Sequence, residues 1–207
     1  MLARSAIALR FILLATPSLP ANSLADLIKL AKGKPGELNC ASSGVGTTAH
    51  LGCEMLNRYG GINIVHVPYK GVGPALVDLM GGRVQVFFSV PTAAEQVKSG
   101  EVKALAVTGA KRLPTLPDVP TVAEAGFAAL EFFSWNGIHL PAGTAPAIVA
   151  KINADFGKVR AMPEIQERMQ QLGFTPEGGT AEEFGEFVKS DIARWRKVVN
   201  DTGVKVE

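Results

Sequence analysis

Between residues 37 and 108, short apolar runs alternate with helix-like stretches, and the connections are only a few residues long. No other feature restricts the fold so strongly. Residues 37–41 read as a strand, and 47–59 as a helix stopped by Gly60 and Gly61. The β-branched run 62–67 reads as a strand, and 74–80 as a helix ended by Gly81 and Gly82. A strand over 84–88, a helix over 92–99 and a strand over 103–108 complete the series. Strands linked through helices require right-handed crossovers and predict a mainly parallel sheet. Their nearly continuous apolar character fits strands covered on both faces. Upstream, Leu24, Leu27, Ile28 and Leu30 have helical spacing, with Ser23 placed to cap the helix and Gly33 to close it. The class is α/β.

After Gly109 the rhythm changes. Pro114, Pro117 and Pro120 mark a long ordered loop over 111–126, and 130–140 is extended and aromatic. Helices are expected over 145–160, with Pro146 in the first turn, over 163–172 and over 180–199. A capping box, Thr180-Ala181-Glu182-Glu183, opens the last. Few strands remain after Leu140, so these helices read as the outside of a domain whose centre is missing.

The N-terminus is ambiguous. Arg10 interrupts the apolar run that a signal peptide needs, and no small-x-small cleavage site precedes Pro17 and Pro20. We read 11–15 as a buried strand. The net charge is +2, from 21 basic and 19 acidic residues interspersed along the chain. That leaves no footprint for nucleic acid or an anionic membrane. No apolar run approaches the roughly 20 residues that span a bilayer. Cys40 and Cys53 are the two cysteines; they either form a disulfide or, as we favour, are two separate small buried apolar side chains. No clustered metal ligands accompany them.

The stretch CASSGVGTTAHLGCEML contains Gly44-Val45-Gly46-Thr47-Thr48-Ala49, which fits G-x-G-x-x-A. A helix N-terminus offers unpaired N–H groups and the positive end of a dipole, and glycines let an anion come close. Ser42, Ser43, Thr47 and Thr48 add hydroxyls, so the turn suits a carboxylate or a phosphate. A dinucleotide would also need an acid at the end of the next strand, yet that strand runs into Pro68, Tyr69, Lys70 and Gly71. His50 either donates to an anion or sits on the helix surface with a local hydrogen bond, the reading its position favours. Tyr69 and Ser89 are further candidates, because α/β sheets place ligands at strand C-terminal ends. Trp135 reads as core. No serine–histidine–acid arrangement, paired carboxylates or metal signature emerges.

Four stretches now coincide: PSLPANSLADLIKLAKGKPGELNCASSGVGTTAHL, VHVPYKGVGPALVDLMGGRVQVFF, VKALAVTGAKRLPTLPDVPTVAEAGF and SWNGIHLPAGTAP. In this order they resemble the substrate-binding proteins of tripartite tricarboxylate transporters, the Bug family. The resemblance implies a periplasmic-binding-protein type II-like fold of two α/β lobes with a cleft between them. It implies capture of small carboxylates in the periplasm for membrane subunits of the transporter, by a monomer that is no enzyme and has no cofactor and no metal. Ser42, Gly44, Gly46, Thr47, Thr48 and His50 match the family's cleft turn; Ser43, Tyr69 and Ser89 complete the expected ligand-binding set.

Several positions depart from the family pattern. Cys40 stands where an aromatic is usual, Val45 replaces a commonly polar residue, and Ser89-Val90 stands where an Asp-Asn-like pair is frequent. The family's signal peptide and first-lobe opening have no counterpart here. The resemblance therefore implies one complete lobe over 14–132, the family's second, and a mostly helical return of an incomplete first lobe over 133–207. The apolar faces of that return (Ile148, Ile152, Phe156, Phe184, Val188, Trp195) are expected to lack their sheet, and a half cleft to bind weakly. Two other readings stand beside this one: a nucleotide-dependent α/β enzyme using the turn 44–49, and a retained lobe that binds nothing.

Overall fold

The structure, a computed structural model, describes residues 2–204, and all their side chains except those of residues 2–7, 176 and 177. In chain order the elements are β1 (Leu2–Arg10), β2 (Ile12–Ala15), α1 (Leu24–Gly33), β3 (Asn39–Ser42), α2 (Thr48–Gly60), β4 (Val65–Pro68), α3 (Val72–Met80), β5 (Val86–Ser89), α4 (Ala94–Lys98), β6 (Lys103–Val107), β7 (Phe133–His139), α5 (Pro146–Ala161), α6 (Pro163–Gln171), β8 (Phe174–Glu177) and α7 (Ala181–Thr202). The chain divides into two compact units: the residues up to Leu9 with Ser134–Lys197, and Arg10–Phe133 with the chain from Val198.

The larger unit is built on a five-stranded sheet of order β4-β3-β5-β2-β6. β3 runs parallel to β4 and β5, while β2 is antiparallel to β5 and β6. Four strands thus share one direction, the mainly parallel sheet the alternation predicts, and β2 alone opposes them. The sequence gives no hint of this reversal. Ile12, Leu13, Leu14 and Ala15 have no exposed area, so the run signals burial on both faces and carries no direction.

Local chemistry explains the helix starts in this unit. Ser23 Oγ accepts from the Asp26 N–H at 3.1 Å, and Leu24, Leu27, Ile28 and Ala31 form the buried stripe of α1. Thr47 caps α2 in the same way, accepting from the His50 N–H at 3.4 Å. α2 lies close to the core aromatics because position 52 has no side chain. A Cβ on Gly52 would stand 2.6 Å from Phe132 Cζ and 3.0 Å from Phe88 Cδ2. Phe132 meets Phe88 edge-on at 5.3 Å and Phe11 at 5.4 Å.

Cys40 and Cys53 form a disulfide between β3 and α2, with Cα atoms 6.1 Å apart. This corrects the expectation of two separate thiols. Either reading requires burial, and both residues are 1% exposed, so composition does not separate them. The pairing follows from the approach of α2 to β3, a tertiary fact.

The smaller unit carries a three-stranded sheet of order β7-β1-β8, in which Ala8 faces Thr175 and Leu9 faces Phe174 across an antiparallel pair. The expectation that these helices lack a sheet is therefore wrong. β1 escapes notice because LARSAIALR mixes small residues with two arginines and its partners are remote in sequence. Phe184 is fully buried, edge-on to Trp135 at 5.3 Å, and Gly137 leaves room for its ring. Trp135 donates from Nε1 to Asp191 Oδ2 at 2.7 Å, which settles it as part of this cluster. Ile148, by contrast, stays 53% exposed. Among the described residues no helix is long and apolar enough to cross a membrane, and no cluster of side chains is placed to hold a metal ion.

Candidate functional site

The strand directions bring the ends of β3, β4, β5 and β6 and the beginning of β2 to one end of the sheet. There the chain leaves β3 at Ser42, turns, and enters α2. Gly44 has φ 144° and Gly46 φ 75°, values that a side chain would strain. Gly44 O receives the Thr47 hydroxyl at 2.7 Å, and the Gly44 N–H donates to Ser42 Oγ at 3.2 Å. The loop after β4 is laced to this turn, since the Tyr69 N–H donates to Ser42 O and the Gly71 N–H to Ser43 O, at 3.0 and 3.2 Å.

Two histidines hold the turn from below. The Gly46 N–H donates to His50 Nδ1 at 3.1 Å, so that nitrogen carries no proton. Ser42 Oγ lies 2.7 Å from His66 Nε2, and the two imidazoles stack with centroids 3.8 Å apart. His50 is 5% exposed, which corrects its placement on the helix surface while confirming the local hydrogen bond. Burial, and then the neighbouring His50, push His66 down to about 4. Burial likewise lowers His50, against an opposing pull from Glu54 3.8 Å away. Both rings are neutral at pH 7, and the turn carries no charge of its own.

This predicts a pH dependence with a defined sign. Between pH 6.5 and about 4 the unfolded chain takes up a proton at His66 that the native ring refuses. Stability is complete above pH 6.5 and declines as the pH falls through that window. The half-buried ring reduces the loss to on the order of 1 kcal/mol. Thermal melts at pH 7 and pH 5 should show a smaller decline for His66→Gln, whose amide can still reach Ser42; equal declines would remove His66 from the account.

The first-turn amides of Thr48 and Ala49 have no intrahelical acceptor, and Ser43 and Thr48, both part-exposed, add hydroxyls to the turn. The Gly46 N–H is already satisfied. Of the predicted residues, Ser42, Ser43, Gly44, Gly46, Thr47, Thr48 and His50 thus come together, with Ser42 and His50 acting as its internal staples. Tyr69 is adjacent, but its hydroxyl donates to Asp78 Oδ2 at 2.7 Å. Asp78 is held below the usual carboxylate range by that bond and then by Arg83, 2.6 Å away. Ser89 ends β5 with no exposed area, and its Oγ has no partner among the described residues. Sequence reasoning missed His66 and Asp78. The one available signal was a histidine interrupting an otherwise apolar strand.

A cavity of about 590 Å³ lies in the smaller unit between α5 and the start of α7. Val149, Ala150, Asn153, Thr180 and Glu182 help to line it.

The profile of the tripartite tricarboxylate transporter family receptor matches residues 4–204. The chain belongs to this receptor family. The chain is 34% identical to the protein BugT of Bordetella pertussis over 95% of its own length and 60% of that protein's. It is similar to the R. palustris protein Rpa4515 with adipate, with TM-score 0.88 and 37% identity over 98% of this chain and 68% of that one. MatC of Rhodopseudomonas palustris with bound malate gives TM-score 0.83 and 30% identity over 96% and 69%. The chain therefore spans between 53% and 60% of two curated relatives it matches.

Proposed function

We propose that this receptor is a periplasmic solute-binding protein that captures small carboxylates, with one carboxylate seated on the 42–48 turn, and that it serves membrane subunits of a tripartite tricarboxylate transporter without catalysing a reaction. The observation that carries this reading is the start of α2 directly after β3, where the first-turn amides of Thr48 and Ala49 have no intrahelical acceptor and Ser43 and Thr48 add hydroxyls, with both nearby histidines neutral. Such a turn suits an anion that needs no metal and no counter-charge from the turn itself. Related proteins with adipate and malate support the ligand class. The Cys40–Cys53 disulfide supports an oxidising compartment, as the periplasm is. The lobe assignments over 14–132 and 133–207 belong to the same proposal.

Titration calorimetry with adipate and malate tests it. Gly46→Val, which forces a side chain onto φ 75°, should weaken binding by about tenfold or more through loss of charge-assisted hydrogen bonds. Binding of NAD or ATP in place of a carboxylate would move the protein to nucleotide chemistry. Stable folding without any carboxylate binding would leave a lobe that serves as scaffold only.

A further inference from the structure

One charged group at the ligand end of the sheet is not used by the turn. Because β2 runs against its neighbours, its start lies where β3, β5 and β6 end. Ile12 pairs with Ser89 on one side and Val107 on the other. The ladder continues past the strand ends, for the Phe11 N–H donates to Thr108 Oγ1 at 3.0 Å and the Thr108 N–H to Phe11 O at 2.9 Å. Arg10, the last residue of β1, comes next and lies beside Gly109 at this end of the sheet.

Gly109 makes a seat for the arginine. A Cβ at position 109 would collide with Arg10 Cδ and lie 2.7 Å from both Cγ and Nε. The stem of Arg10 therefore lies across the backbone of its neighbour, and the residue is half-buried. Its guanidinium has no ion pair or hydrogen bond among the described residues. A partly desolvated cation held in place without an anion is costly unless something supplies one. Gly109 follows β6, so the Arg10 stem lies three strand steps from β3, roughly 14 Å, a span that an extended aliphatic dicarboxylate and the hydrogen bonds at its two ends can cover.

We propose that Arg10 forms the second anion subsite of this receptor, receiving the far carboxylate of a dicarboxylate whose near carboxylate sits on the 42–48 turn. This rests on the carboxylate reading above and narrows it from carboxylates in general to dianions. The planar guanidinium accepts a carboxylate through two parallel N–H bonds, which an ammonium does not reproduce.

Calorimetry on the whole chain with adipate and with hexanoate, its six-carbon monocarboxylate counterpart, provides the test. Wild type should prefer adipate, and added salt should erode that preference. Arg10→Gln should weaken adipate by about tenfold and leave hexanoate unchanged, with Arg10→Lys in between. Gly109→Ala, which displaces the arginine stem, should reproduce the selective loss, and melting curves establish that each variant is folded. Equal affinities for the two ligands with no effect of Arg10→Gln, or equal losses on both, would overturn the subsite and leave the turn reading standing. Absence of binding by both ligands in wild type would overturn the two together.

Discussion

Replacing Cys40 and Cys53 together by alanine should lower the unfolding free energy by about 3 kcal/mol, the loop-closure value for a ring of this size, given a sequence separation of 13. The ring encloses the whole 42–48 turn, so the bond ties the last residues of β3 to the second turn of α2 on either side of it. Cys40 lies two residues before Ser42, whose hydroxyl bonds to Gly44 and His66. Both sulfurs are buried, so reductant should act slowly on the native protein and fully once it unfolds. Denaturant unfolding with and without dithiothreitol is the measurement. Wild type should lose stability under reduction while the double variant does not change; identical wild-type curves under both conditions would show that the bond contributes nothing.

Phe132→Ala should cost about 3–5 kcal/mol, the range for removing a fully buried aromatic ring. The side chain has no exposed area and touches Phe11, Phe88 and the bare backbone of Gly52. Gly52 gives the sharper test. Gly→Ala inside a helix ordinarily stabilises by up to about 1 kcal/mol. Here the added methyl would stand 2.6 Å from the Phe132 ring, so Gly52→Ala should destabilise instead, by about 1–3 kcal/mol. Combining it with Phe132→Leu should cost less than the sum of the two single changes, because the smaller side chain vacates the space the methyl needs. Urea titrations of the three variants measure this; strict additivity would place the two residues in separate environments.

Much of the larger unit was legible beforehand for identifiable reasons. α1 and α2 carry their own caps and apolar stripes, and β3, β4, β5 and β6 are runs whose composition fits strands. The boundaries moved by a few residues, as at β4, expected from 62 and found as Val65–Pro68. β1 was not legible, since its pattern mixes small residues with arginine and its partner β8 lies more than a hundred residues away. Within the site, the turn's glycines and hydroxyls were readable from their spacing before a helix. The roles of Ser42 and His50 as staples were not, because His66 reaches them from a different strand. Tyr69 looked available until its hydroxyl was seen on Asp78.

The sequence by itself determined the α/β class, the glycine- and hydroxyl-rich turn before α2 and the family, because each rests on local spacing and on motifs contiguous in the chain. Only the tertiary structure decided that Cys40 meets Cys53, that His66 stacks on His50, that β2 opposes its neighbours and that Arg10 lies against Gly109. Each of these depends on which distant segments pair, and pairing is set by the summed burial of whole elements, which no single stretch of sequence encodes.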